Sequence, residues 1–474
     1  MTATLATAVV LKAKPETTAT PPRTRPDSPA LLALDAGEQY RFAFDMNVCI
    51  GCHACEVACG EQNGLPTSTA WRRVGEIEGG VYPAAKRFHL SMSCNHCVEP
   101  ACLDGCPTNA YEKLANGVVA HHADDCIGCQ YCTWTCPYSV PAFQPDRRIV
   151  TKCDMCLPRL DAGMAPACVA ACPTNAITVE KVNVAEWLAD PSAGDAPALP
   201  AVTITMSTTR IVLPHDMPDD AFAASDWKVR PEDPHWPLIW LTLVSQLAVG
   251  VSVTASAPWH RMAAAVLAAA ALAGAIFHLG RPAMAWKALR NVRRSWLSRE
   301  VALLSAYAGA AAGAAVVPAL TVPAAVVGIA GVYASARLYM VPGRPSWDSP
   351  LTVVRFFATA LALGPAVTAH PALAGAGAVT AIAATALNWA RLATASAHAP
   401  RAALRLELDI AGGWTGLRLI TAFVGCLALL AGAPVAGVAL LAGSEAIGRW
   451  LFFVCAAPLN MPGAFFRGSS PDNR

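Results

Sequence analysis

Cys49-Ile-Gly-Cys52-His-Ala-Cys55-Glu-Val-Ala-Cys59 and Cys126-Ile-Gly-Cys129-Gln-Tyr-Cys132-Thr-Trp-Thr-Cys136 share one spacing, C-x2-C-x2-C-x3-C. Two more quartets accompany them: Cys94, Cys97, Cys102 and Cys106, then Cys153, Cys156, Cys168 and Cys172. The four hold sixteen of the chain's eighteen cysteines. The shared spacing is that of a run that binds [4Fe–4S] cubes. Three thiolates, each three residues from the next, can wrap one face of a cube whose iron prefers soft sulfur ligands. The fourth Cys points away to a second cluster, so such runs work in pairs. Four quartets therefore predict four [4Fe–4S] clusters in two dicluster modules.

Three rival readings compete for these cysteines. C-x2-C pairs also suit tetrahedral zinc, but zinc has no use for the third Cys at x2 or the fourth at x3. A disulfide scaffold is the second rival. The third is c-type haem, because Cys49-Ile-Gly-Cys52-His53 matches the C-x-x-C-H attachment site; its place inside a longer cysteine run argues against it. Pro107, Pro137 and Pro173 follow the last Cys of three quartets as the cluster run has it, while Gly60 departs from the pattern in the first. An internal repeat agrees with paired modules: Cys106-Pro-Thr-Asn-Ala110 recurs as Cys172-Pro-Thr-Asn-Ala176.

The rest of the chain divides by composition. Hydrophobic residues make up 54% and charged ones 14% of the 474 residues, less charge than the ~25% of a soluble protein. The apolar excess lies after about residue 237. Eight runs there approach the ~20 residues that cross a bilayer: 238–257, 262–280, 301–320, 322–341, 352–370, 371–392, 416–435 and 436–457. The expected fold is an α+β ferredoxin-like double dicluster domain followed by an all-α eight-helix transmembrane bundle. Its parts are a disordered tail (1–38), the cluster domain (39–180), a linker (181–237), the membrane anchor (238–457) and a C-terminal tail (458–474). The N-terminus offers no h-region with a cleavage site and Arg23-Thr-Arg25 is not a twin-arginine pair, so no signal peptide is read. A net charge of +2 gives no sign of a nucleic-acid partner.

Lys and Arg concentrate in alternate loops. Arg281, Lys287, Arg290, Arg293, Arg294 and Arg299 follow the second run, and Arg344, Arg401, Arg405 and Arg467 lie on the same side; Arg261 alone faces them. The basic side is expected to be cytoplasmic. The cluster domain would then sit on the cytoplasmic face of the inner membrane, with both termini. Within the runs, Glu445 and Arg449 stand one turn apart and are expected to neutralise each other. Arg337, Arg355 and Arg418 are expected to snorkel from helix ends. Cys426 and Cys455 read as small hydrophobes.

Cys94-Asn-His-Cys97, Cys126-Ile-Gly-Cys129, Cys136-Pro-Tyr138, Thr151-Lys-Cys153 and the Cys168/Cys172 pair resemble the iron–sulfur subunit of dimethyl sulfoxide reductase and related molybdopterin oxidoreductases. Phe277-His-Leu-Gly-Arg-Pro282, Ser295-Trp-Leu-Ser-Arg-Glu300 and Gly448-Arg-Trp-Leu-Phe452 resemble the DmsC-type anchor of the same enzymes. The two are usually separate chains and here look fused; nothing resembles the molybdopterin catalytic subunit, which would be the partner. The resemblance implies a wiring that spacing leaves open. Cys49, Cys52 and Cys55 would share a cluster with Cys172, and Cys153, Cys156 and Cys168 one with Cys59. Cys94, Cys97 and Cys102 would pair with Cys136, and Cys126, Cys129 and Cys132 with Cys106. By resemblance the first/fourth pair faces the catalytic partner and the second/third pair the anchor.

The family places quinol binding where His278, Arg281 and Glu300 fall, at the membrane face beside the basic loop. A His and a carboxylate suit quinol oxidation, which releases protons with electrons. The bland alternative is that His278 caps one helix and Glu300 starts the next. No haem is expected. The chain thus reads as a non-catalytic electron-transfer and anchor subunit, linking menaquinone or ubiquinone in the lipid to the molybdopterin enzyme. Its rivals are the same role in a cytoplasm-facing sulfite dehydrogenase, an ion-translocating redox transporter, and a merely tethered ferredoxin.

Overall fold

The computed structural model describes residues 33–227 and 229–460. Of the tails expected at 1–38 and 458–474, residues 1–32 and 461–474 lie outside the described residues, whereas Glu38 already belongs to the first strand and Leu459 N–H donates to Gly343 O at 2.9 Å. Ten short strands and six short helices carry the cysteines. In order they are β1 (Glu38–Asp45), α1 (Ala54–Gln62), β2 (Arg73–Gly79), β3 (Lys86–Met92), α2 (Ala101–Gly105), β4 (Tyr111–Lys113), β5 (Val119–His121), α3 (Tyr131–Thr135), β6 (Ala142–Gln144), β7 (Ile149–Thr151), α4 (Leu157–Asp161), α5 (Ala167–Ala170), β8 (Ile177–Asn183), α6 (Val184–Ala189), β9 (Arg210–Val212) and β10 (Phe222–Ala223).

Strand pairing decides which quartets meet. β1 enters the first quartet and β8 leaves the fourth. They pair antiparallel from Glu38↔Asn183 to Phe44↔Ile177, so chain positions more than a hundred residues apart close on one another. β4 and β5 form a ladder between the second and third quartets, Tyr111↔His121 to Lys113↔Val119. The repeated Cys-Pro-Thr-Asn-Ala adopts one turn twice, with Asn109 (φ 57°) and Asn175 (φ 55°) both left-handed, a region Asn tolerates better than most residues. The segment after β8 returns to this domain through two short strands. β9 runs parallel to β1, and β10 pairs with β2, which in turn pairs with β3.

The membrane half holds α7 (Trp236–Val253), α8 (Pro258–Ala275), α9 (Trp296–Val316), α10 (Thr321–Tyr339), α11 (Pro350–Val367), α12 (Pro371–Ala393), the short α13 (His398–Arg405), α14 (Gly412–Leu430) and α15 (Pro434–Val454). Pro258, Pro350, Pro371 and Pro434 each open a helix, where the missing N–H costs nothing. Small residues let the backbones touch: a Cβ on Gly364 would lie 2.1 Å from the Gly250 carbonyl carbon. Such contacts hold helices together where lipid removes the hydrophobic drive. Phe277, Val322, Val379, Phe423 and Val435 are exposed on the outer surface, as lipid-facing side chains must be.

Among the described residues, seven helical segments are long and apolar enough to cross a membrane by length and composition, one fewer than the eight runs read from the sequence. The one that drops out is α9: Arg299 and Glu300 occupy its first turns, and Ala, Gly and Ser fill most of the rest. The structure corrects two side-chain expectations outright. Glu445 and Arg449 make no direct ion pair among the described residues. Thr359 Oγ1 donates to Glu445 Oε2 at 2.6 Å, and Arg449 Nη2 reaches Thr359 Oγ1 at 3.3 Å and Gln246 Oε1 at 2.7 Å. Arg355 and Arg418 do not snorkel but are buried. Arg355 lies over the Phe452 ring and Arg418 donates to Thr385 Oγ1 at 3.1 Å, because their helix faces point into the bundle.

Replacing Gly364 by Leu should overpack the α7–α11 contact at a cost of about 1–3 kcal/mol. The melting temperature in detergent should fall. Gly443→Leu, where a Cβ would meet nothing within 4 Å, should melt with the parent. Equal melting of both variants would refute the close-packed contact.

Candidate functional site

Short turns lead into the helices that carry many of the cysteines. His53, Gln130 and Cys156 are left-handed residues just before α1, α3 and α4, which folds each run back on itself so that its sulfurs face inward. Two cavities result in the second/third module. Cys94, Cys97, Cys102 and Cys136 line one; Cys106, Cys126, Cys129 and Cys132 line the other. Each takes three cysteines from one quartet and the last Cys of the other. In the first/fourth module the thiols interact in the same crossed manner. Cys172 and Cys52 act on Cys49, while Cys168 and Cys156 act on Cys59.

These cavities suit an iron–sulfur cube. Among the described residues, no three His, Cys, Asp or Glu side chains converge as ligands of a single ion. The sulfurs ring a void instead, as a cube requires and zinc does not. Donors already point at them: Ala110 N–H to Cys106 Sγ at 3.3 Å, Met155 N–H to Cys153 Sγ at 3.3 Å and Thr205 Oγ1 to Cys97 Sγ at 3.2 Å. Burial, reinforced by neighbouring thiols, pushes Cys59, Cys97 and Cys129 up to about 12. Such sites hold thiolates only when a cationic group offsets that cost.

The second/third module rests directly on the membrane half. Gly280 N–H and Arg281 N–H donate to the carbonyls of Gly128 and Ile127 at 3.4 and 3.0 Å. Gly128 is left-handed (φ 69°), and a Cβ there would lie 2.4 Å from Arg148 O and 2.9 Å from Gly280 Cα; only glycine admits this approach. Asn291 Nδ2 donates to Cys106 O at 2.8 Å and Ser295 Oγ to Gly105 O at 2.7 Å. Lys287 and Arg290 share Asp125 at 3.0 and 2.7 Å. Much of the basic loop is thus spent on docking.

An aromatic group bridges the two halves. Tyr131 OH donates to Leu338 O at 2.7 Å. The Trp134 ring meets His235, Trp347 and Tyr339 with centroids 4.9, 5.3 and 6.0 Å away. Cys129 packs against this cluster. Sequence reasoning missed these residues, although Tyr131 and Trp134 stand out as large side chains between the ligands of the third quartet.

His278, Arg281 and Glu300 all lie at this docking face, but they do not form one contact set. His278 is half-buried with Nδ1 bonded to Ala275 O, and its ionisable neighbour is His235. Arg281 Nη1 is used on Ala123 O at 2.9 Å. Glu300 is buried in α9 with Oε1 unpartnered. Tyr131 and Tyr339 lie within its electrostatic reach. The Ser335 hydroxyl is nearby but outside hydrogen-bond geometry.

Comparison with known proteins bears on both halves. The family model of the 4Fe-4S dicluster domain matches residues 85–182; that of the DMSO reductase anchor subunit (DmsC) matches residues 233–387. The DmsB-type component of anaerobic dimethyl sulfoxide reductase from Haemophilus influenzae is 38% identical over 177 residues, 35% of this chain and 86% of the relative. Its Escherichia coli counterpart is 39% identical over 147 residues, 29% of this chain and 72% of the relative. A component of sulfite dehydrogenase from Allochromatium vinosum is 40% identical over 160 residues, 29% of this chain and 67% of the relative. Cysteine cavities set against a helical anchor, and a relative covered over most of its length, lead to one conclusion. The chain belongs to the DmsB-type family of anaerobic dimethyl sulfoxide reductase components, fused here to a DmsC-type membrane anchor.

Proposed function

We propose that this subunit carries electrons between the membrane quinone pool and a separate molybdopterin catalytic subunit, through four [4Fe–4S] clusters held by the crossed quartets. The observation that carries the reading is the backbone contact of Gly128 and Ile127 with Gly280 and Arg281. It sets the Cys106/Cys126/Cys129/Cys132 site against the loop that begins at His278. At the far end Cys52 is exposed, and Val48, Ile50 and Val57 beside it present apolar surface, which suits docking of the catalytic subunit. When bound, the clusters supply one-electron transfer.

The chain's own residues handle the protons. His278 donates Nδ1–H to Ala275 O, which leaves Nε2 as the ring acceptor for a quinol hydroxyl. Glu300, buried with one oxygen unpartnered, takes the second proton. Menaquinol or ubiquinol gives up two protons to these groups and two electrons, one at a time, to the clusters. Electrons in the reverse direction would serve a sulfite dehydrogenase, a reading favoured by the likeness to a component of that enzyme.

In this reading α9 also crosses the bilayer, making eight spans. It runs for 21 residues and packs between α8 and α10. The ends of helices on the cluster side carry Arg391, Arg401 and Arg405 besides the docked cations, against Arg261 on the other, which supports a cytoplasmic cluster domain.

Three outcomes follow. Glu300→Gln and His278→Ala should each lower quinone-linked turnover by roughly 10²–10⁴-fold and leave dye-linked turnover through the clusters unchanged; near-parental quinone activity in both would move the site elsewhere. Cys102→Ser should perturb one cluster signal in electron paramagnetic resonance and spare the first/fourth pair. A reporter fused after Arg474 should be active only as a cytoplasmic reporter; activity as an exported one would reverse the orientation.

A further inference from the structure

Arg72 is among the largest fully buried side chains of the protein, with 2% of its surface exposed. Its guanidinium donates through Nη1 to Ser91 O and Ser91 Oγ, both at 3.2 Å, and through Nη2 to Ser93 Oγ at 2.9 Å. It lies over the Phe42 ring at 4.6 Å, and Nε has no partner. The ionisable groups that act on it most are the thiols of Cys168, Cys55, Cys153 and Cys59, with no carboxylate among them. Ser91 Oγ, which Arg72 holds, lies 3.3 Å from Cys55 Sγ.

A buried cation without a carboxylate is costly unless other negative charge offsets it. The four thiols belong to two different sites of the proposed wiring. Cys55 falls in the one with Cys49, Cys52 and Cys172, and the others in the one with Cys59 and Cys156. Neither the guanidinium's planar fork nor its charge changes with pH in any ordinary range.

We propose that Arg72 is the shared counter-charge of the two clusters in the first/fourth module and holds both reduction potentials up. This rests on the cluster reading given above. Each cluster gains one negative charge on reduction, and a fixed cation nearby stabilises the reduced form more than the oxidised one. Arg72 is a positioning residue for charge and touches no substrate. Its effect raises the electron affinity of the module remote from the anchor, which favours electron flow away from the membrane.

The test is a redox titration followed by electron paramagnetic resonance on the full chain, purified anaerobically, with iron counted in every sample. In Arg72→Gln, two of the four cluster midpoints should fall so that the reduced-to-oxidised ratio at fixed potential drops at least tenfold, about 59 mV for a one-electron centre. The other two should stay at the parental value. The shifted pair is assigned by the signals altered in Cys55→Ser and Cys168→Ser. Arg72→Lys should recover most of the shift, since it restores charge without the fork. Full iron with four unchanged midpoints in Arg72→Gln would overturn the proposal, as would an Arg72→Lys shift equal to that of Gln. If Arg72→Gln fails to load iron, Ser93→Ala, which removes one anchor of the guanidinium, decides in its place. A smaller fall in the same two midpoints supports the proposal and none overturns it. Parental protein with fewer than four clusters would instead refute the underlying cluster reading.

Discussion

Two glycines in backbone contact fix the relation between the halves of this protein. Gly128 lies between the first two cysteines of the third quartet, and Gly280 lies in the loop that leaves α8. Neither tolerates a Cβ, because Arg148 O would be 2.4 Å away from one and 2.2 Å from the other. The contact brings a cysteine-lined cavity to the membrane half without any long side chain between them. Ser295, Ser298 and Asn291 then cap the carbonyls of Gly105, Pro107 and Cys106, so buried backbone groups at the junction find partners. Short distance is what electron transfer between a lipid-borne carrier and a protein-bound cluster needs, and this packing provides it.

The cluster domain builds its core around its cysteines. Cysteines are themselves part of that core: Cys55, Cys94, Cys153, Cys168 and Cys172 belong to one buried group, and Cys102, Cys106, Cys126 and Cys132 to another. Cysteine-bearing turns thus stand where Leu or Phe would otherwise pack, and where cysteines act as ligands metal binding contributes directly to folding. Buried cations complete the arrangement. Arg72 stands among the first/fourth thiols, and Lys152 lines the Cys94 cavity while donating to Cys153 O at 2.9 Å.

The cysteine quartets stand out in the linear sequence because cluster chemistry calls for a fixed spacing; the sharing of two cavities between the second and third quartets follows the pairing that the family resemblance implies and that spacing leaves open. The membrane helices were legible for a similar reason: bilayer thickness sets a run length, and composition alone reveals it. What escaped depends on contacts between distant positions. Tyr131 meets Leu338 across 207 residues, and no local pattern marks it. Arg355 and Arg418 looked like snorkelling residues because sequence does not say which face of a helix points inward. The Glu445–Arg449 spacing favoured a direct pair, but Thr359 and Gln246 from neighbouring helices offered better-placed partners. His278 and Glu300 could be set near the basic loop from sequence, yet the groups within their electrostatic reach, His235 for one and Tyr339 for the other, came only from the fold.

Under the proposed function, quinol electrons enter the clusters of this chain without help from the catalytic subunit. The direct measurement is to mix anaerobic, oxidised protein, free of any catalytic partner, with a reduced menaquinone analogue and to follow the iron–sulfur signals by freeze-quench electron paramagnetic resonance. With about sixteen iron atoms per chain, four per cube, reduced-cluster signals should develop on the timescale of turnover. Signals that appear with dithionite but not with the quinol would contradict the claim.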